Sequence, residues 1–103
     1  MDRRQKLSQA LKEVTGLSKI YYAPETNTNM SYPCIRYELT DRVFENANNK
    51  KYIGNTVYTV IYISRNPDTN SVICDAIESL DYTQFERCYV ANGLYHYVYT
   101  ITI

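Results

Sequence analysis

Few residues of this 103-residue chain could do covalent or acid–base chemistry, and their spacing is poor for it. His96 is the only histidine. No serine or cysteine stands beside it at a motif spacing, so a nucleophilic triad would have to recruit Cys88 or a distant serine. The plainer expectation is a histidine at the surface or the rim of the core, on the side of its strand opposite a row of tyrosines. Asp41, Glu45, Asp75 and Glu78 are the candidates for a carboxylate pair of the glycosidase kind. Asp75 and Glu78, three apart, read more simply as the solvated flank of a helix. Cys34, Cys74 and Cys88 are odd in number and contain no C-x-x-C, which supports neither a zinc knuckle nor a dithiol redox motif. Each lies in an apolar pattern, as expected of reduced thiols packed as small hydrophobes in a reducing compartment. With glycine only at 16, 54 and 93, a phosphate-cradling loop has no material to form from. The expectation is a protein that is not an enzyme, with no catalytic residues, no metal ligands and no cofactor.

Charge narrows the partners. Eleven Lys and Arg balance eleven Asp and Glu, whereas a nucleic-acid binder normally carries a basic excess for phosphate contacts. The balance is uneven along the chain. Residues 1–20 hold Arg3, Arg4, Lys6, Lys12 and Lys19 against Asp2 and Glu13, a net +3, which leaves −3 for the remainder. The plainer expectation is an ordinary solvated helix face; the other is that a basic first helix above an acidic body favours head-to-tail self-association, for which zero net charge is permissive because it removes self-repulsion. The amphipathic start MDRRQKLSQALKEV lacks the apolar run of a signal peptide, and no apolar stretch approaches the ~20 residues of a membrane span. A soluble protein made inside the cell is expected.

The elements that must position these groups follow from periodicity. Leu7, Ala10, Leu11 and Val14 give the stripe of a helix over about residues 2–15, with an Asp2/Gln5 capping box and Gly16 as C-terminal cap. A short strand at 19–23 and a loop at 24–31 lead through Tyr32-Pro33 to a half-buried strand, where Ile35, Tyr37 and Leu39 alternate with Cys34, Arg36 and Glu38. An aromatic–proline bond can be cis, although trans is the default. Residues 41–54, DRVFENANNKKYIG, show no period and read as a long loop, with a floppy solvated hairpin extension as the alternative; a loop of this length in so small a domain is usually either functional or mobile. Val57 to Ile63 is apolar on both faces and should be a central strand. Thr69 or Asn70 can cap a second helix carrying Ile73, Ala76, Ile77 and Leu80 inward. Asn92-Gly93 between two alternating runs marks a closing hairpin, whose last strand lines up Tyr95, Tyr97, Tyr99, Ile101 and Ile103. The expected fold is α+β: one domain over 1–103, order α-β-β-β-α-β-β, a mainly antiparallel sheet with two helices packed on it.

Twelve tyrosines and no tryptophan suit both strands and interfaces. A tyrosine-faced sheet can stack nucleobases, but the RNA-recognition motif is absent and Lys50-Lys51 beside Tyr52 is the sole basic–aromatic cluster. Core packing and subunit contacts account for the tyrosines better.

Taken in order, the leading helix, "YPCIRYEL", the Asn-rich "ENANNKKY", the strand "YTVIYIS", a helix after "NPDTN" and a hairpin ending "LYHYVYTITI" resemble the tail-completion and tail-terminator proteins of long-tailed bacteriophages. The resemblance covers nearly the whole chain and rests on element order with short motifs. Tyr32-Pro33 and the segment before the central strand carry it best. Family members often show Asp-Asn in that segment, where this chain has Asn48-Asn49.

The resemblance implies a virion protein, made and assembled in the host cytoplasm, that forms a homo-hexameric ring, caps the tail tube and joins tail to head. Its expected partners are further copies of itself, the tail-tube protein and head–tail connector proteins, with no membrane and no direct nucleic-acid recognition. A ring needs two different patches per subunit. Phe44 and Tyr52 are expected to anchor the 41–54 segment, with Arg42, Asn48, Asn49, Lys50 and Lys51 reaching a neighbour or the tube. The alternatives are another head–tail connector or neck component, or a regulatory module binding protein or nucleic acid.

Overall fold

The computed structural model describes residues 3–22, 32–47, 50–65 and 70–103, and for 43–47, 50–55 and 70 the backbone alone. The elements run α1 (Arg3–Thr15), β1 (Ile20–Tyr22), β2 (Cys34–Ala47), β3 (Lys50–Ser64), α2 (Asn70–Glu78), β4 (Thr83–Ala91) and β5 (Leu94–Thr102). This is the α+β order expected from the sequence. The capping-box residue Asp2, the 24–31 loop and Thr69 lie outside the described residues.

One five-stranded sheet is ordered β1-β2-β3-β5-β4, with β3 at its centre as expected, but its two apolar faces are not equally covered: Tyr58, Val60 and Tyr62 are buried under the helices, whereas Val57, Thr59 and Ile61 on the other face are half-buried. β1 pairs parallel with β2, and every other pairing is antiparallel. Register sorts the side chains into two faces. Ile35 and Tyr37 of β2, Tyr58, Val60 and Tyr62 of β3, and Tyr99 and Ile101 of β5 fall on the face that carries the helices. They close with Leu7 and Leu11 of α1 and with Cys74 and Ile77 of α2 into the hydrophobic core. Fully burying an aliphatic or aromatic side chain is worth about 1.5–3 kcal/mol, so these residues dominate the stability. The tyrosines divide between two environments: Tyr37, Tyr58, Tyr62 and Tyr99 are core, whereas Tyr22, Tyr82 and Tyr89 stay exposed.

Local stops match the sequence. Gly16 takes φ 72° and donates its N–H to the Lys12 carbonyl at 3.0 Å, closing α1. Asn92 and Gly93 both have positive φ, 53° and 73°, the combination a type I′ hairpin turn requires. Tyr32-Pro33 is cis rather than the default trans.

The 41–54 segment departs from expectation. It is not a long loop, because β2 continues to Ala47 and β3 begins at Lys50, and the two pair down to Ala47 opposite Lys50. The alternation that marks a strand records burial of one face, and this stretch runs beyond the helices and beyond β5. β5 supports β3 from Thr56 onward, through the paired Thr56 and Ile103 backbone bonds of 2.7 and 2.8 Å. β1 covers β2 only at 35–37. The result is a two-stranded arm, about 20 Å long at the usual strand rise, leaving one end of the sheet. Register shifts between Leu39 and Asp41 and between Val43 and Phe44 interrupt its alternation, a second reason why it reads as irregular.

Candidate interaction surfaces

The expected contact residues fall on the arm. Register places Phe44 opposite Ile53, with Lys51 opposite Asn46 and Lys50 opposite Ala47. Tyr52 stands opposite Glu45, so strand pairing brings both proposed anchors, Phe44 and Tyr52, into the same stretch of ladder. Arg42 is exposed at the arm's base, where its N–H donates to the Asp41 carboxylate at 2.8 Å. Asn48 and Asn49 lie outside the described residues. What the sequence missed is that pairing, rather than a loop conformation, holds these residues together; the polar Asn-Asn between two β-formers was the available signal.

A second surface lies at the far edge of the sheet. β4 pairs with β5 alone, and seven of its nine residues are exposed, Phe85, Cys88, Tyr89 and Val90 among them. The helix layer thins here because α2 is nine residues long and seats Cys74 and Ile77 over the interior. Between α2 and this edge runs a groove of about 410 Å³, lined by Cys74, Asp75, Glu78, Phe85, Tyr97 and Tyr99. The floor is aromatic, with Phe85 edge-on to Tyr99 at 5.3 Å. The lip is acidic. Asp75 and Glu78 are both exposed, as the solvated flank of a helix should be. Glu78 accepts a long hydrogen bond of 3.4 Å from the Tyr99 hydroxyl, and burial pushes that phenol well above its ordinary range.

The opposite side of the molecule is basic. Arg4, Ser8 and Lys12, four apart, share one flank of α1 and line a shallow concavity with Gln5 and Gln9. The Arg4 guanidinium lies 5.1 Å from the centre of the half-exposed Tyr22 ring, which fixes this flank over β1. Arg3, on the other flank, donates to Thr56 Oγ1 at 2.6 Å and ties α1 to the central strand.

The groups considered for chemistry do not converge. His96 lies on the helix-free face, opposite the tyrosine row as expected, with Nδ1 3.1 Å from the Leu94 carbonyl oxygen. Its ring stacks on Tyr89 at 4.5 Å, and Arg87 stands 5.3 Å from the same Tyr89 ring, so the aromatic groups of this face are packed on one another. All three cysteines are free thiols. Cys34 and Cys74 are buried as small hydrophobes, but Cys88 is exposed, contrary to its apolar context, because β4 is covered on neither face. Among the described residues no three His, Cys, Asp or Glu side chains lie close enough to share a metal ion, and no helix is long and apolar enough to cross a membrane.

The geometry thus defines an α+β fold with a projecting two-stranded arm and two oppositely charged flanks. No protein-family model matches the chain, and no curated protein matches it in sequence.

Proposed function

We propose that this protein is a ring-forming structural subunit of a phage tail, of the tail-terminator kind, which caps the tail tube and joins tail to head. The observation that carries the reading is the β2–β3 arm. It is a paired extension past β5, and among the described residues no further strand pairs with it, so its strand edges can serve a neighbouring copy or the tube. The exposed β4 edge, on another side of the sheet, supplies the second, different patch that a closed ring requires. In this reading Arg42, Lys50 and Lys51 contact the partner and Phe44 and Tyr52 brace the arm, with the virion tail as the site of action.

Native mass spectrometry with negative-stain imaging, across a range of concentrations, tests it. A closed hexameric ring, or binding to purified tail tubes, is the expected result. Removing residues 44–52 and closing the arm with Asn-Gly should abolish both while leaving cooperative unfolding intact. A protein that neither closes into rings nor binds tubes would overturn the reading. If it is instead retained by a head–tail connector, the neck-component alternative gains. Salt-dependent retention on DNA would point to the nucleic-acid module.

A further inference from the structure

We infer that copies of this chain dock head to tail through flank-to-flank contact, the acidic α2–β4 groove of one receiving the basic α1–β1 flank of the next. The inference deepens the assembly reading above and rests on its premise that the chain is a self-assembling subunit. It adds the interface, which is separate from the arm.

Three observations place the two patches. The first is position. Arg4 stands over Tyr22 of β1, the first strand of the sheet, while Asp75 and Glu78 share a groove with Phe85 of β4, the last. Four strand spacings, about 19 Å, separate these edges, so the patches face away from each other. One subunit can therefore offer both at once.

The second is charge. The concavity on α1 is lined by Arg4 and Lys12 and not by Glu13, the one acidic residue of the helix, which accepts from Gln9 Nε2 at 3.2 Å. The sequence of α2, NSVICDAIE, contains no basic residue. Because the two patches sit on opposite edges of the sheet, a two-fold dimer centred on either one would set acid against acid or base against base, and such juxtapositions are strongly unfavourable across an interface. Only the head-to-tail arrangement pairs opposite signs, and that is the arrangement which builds rings.

The third is apolar material. Phe85 is 47 % exposed and Val72 69 % on the acidic side, and Tyr22 is 41 % exposed on the basic side. Charged flanks alone give weak, salt-screened contact. An aromatic groove floor facing an exposed Tyr22 ring supplies the desolvated centre that makes an interface specific.

Charge reversal with complementation is the test. Asp75→Lys with Glu78→Lys makes both flanks basic, and Arg4→Glu with Lys12→Glu makes both acidic. Each protein alone should self-associate about a hundredfold more weakly than the parent, read by sedimentation velocity at low salt. Mixed in equal amounts, the two should regain assembly, because each then meets an opposite flank. Circular dichroism establishes that each variant is folded; should either fail, the neutral pairs Asp75→Asn with Glu78→Gln and Arg4→Gln with Lys12→Gln replace them, with weakening in the same direction. Parent oligomers indifferent to both reversals, or a mixture that stays monomeric, would overturn the interface. So would a parent that remains monomeric at every concentration. Binding of the reversed proteins to tail tubes is scored separately: tube capping that survives reversal sinks this interface and leaves the tail reading standing, whereas oligomers that respond to reversal but bind no tube do the opposite.

Discussion

Strand β3 passes through two environments within fifteen residues. From Thr56 to Ser64 it is flanked by β2 and β5, and Tyr58, Val60 and Tyr62 are buried under the helices. From residue 50 to 55 its strand partner among the described residues is β2 alone. Pairing with β2 runs through both halves, so what the inner half adds is a second strand partner and the burial of Tyr58, Val60 and Tyr62. A two-stranded ribbon in water is marginal on its own, because its hydrogen bonds replace bonds to solvent and fixing the chain costs entropy. The inner half is held by side-chain burial, and the outer half is held in place by its continuity with that inner half. In the proposed assembly, a chain built this way would offer its arm to a partner without weakening its core.

The sharpest way to break that comparison is to damage each half in turn. Tyr62→Ala empties a position only 1 % exposed, stacked 6.0 Å from Tyr97, and should cost about 3–5 kcal/mol. Against a total of about 5–15 kcal/mol for a domain, that is a large share. Removing residues 44–52 should leave the urea midpoint of the remaining sheet nearly where it was. A deletion as costly as Tyr62→Ala would show that the arm belongs to the cooperative unit, and the contrast between the halves would collapse.

A smaller effect compares the ends of the two hairpins. Gly93 turns β4 into β5 at φ 73°, where an added Cβ meets nothing within 4 Å, so Gly93→Ala is opposed by backbone conformation alone. The expected loss is about 1–2 kcal/mol, measured by thermal unfolding. It should exceed the loss from Cys88→Ala, at an exposed position of the same hairpin. Equal losses would mean that the turn's geometry does not limit the hairpin.

The same contrast explains what was legible in the sequence. Both helices, the order of elements along the chain and the Asn92-Gly93 turn were readable, because each leaves a period or a fixed conformational demand. Leu7 and Leu11 repeat because one helix face is buried; Gly16 and Gly93 occupy positive φ. The arm left no such trace: strand formation there is sustained by neighbouring pairing, and two register shifts break the alternation. Cys88 misled for a related reason, since Phe85, Cys88 and Val90 look like core residues in a string of letters. Nothing local reports that α2 stops short of covering them. The contact residues proposed at 42–52 were found by composition, but their arrangement on opposed strands follows only from pairing. The opposite charges of the two flanks were visible as a +3 first segment and a −3 remainder. Their placement on opposite edges needed the strand order.

The subtlest prediction carries the comparison between covered and uncovered positions to the thiols. Cys34 and Cys88 lie on strands of the same sheet, one fully buried and one exposed. Burial pushes the Cys34 thiol up to about 11, only partly offset by the positive charge of Lys19, while an unfolded chain would ionise it near 9.0. The folded state therefore holds this proton more tightly than the unfolded state. Below pH 9 both states keep the proton, and the contribution to stability is fully present. Between 9 and 11 the unfolded chain ionises while the native thiol does not, so stability falls as pH rises through that window. Burial raises Tyr62 and Tyr99 as well, and they act in the same direction above pH 10. Urea midpoints taken at intervals from pH 8 to 10 should thus decline in the parent. They should decline less in Cys34→Ala, despite its lower starting stability. If Cys34→Ala keeps the parent's slope, the pH dependence belongs to Cys74, whose thiol burial also raises, and to the two buried phenols, and Cys34 is simply a small apolar side chain under the sheet.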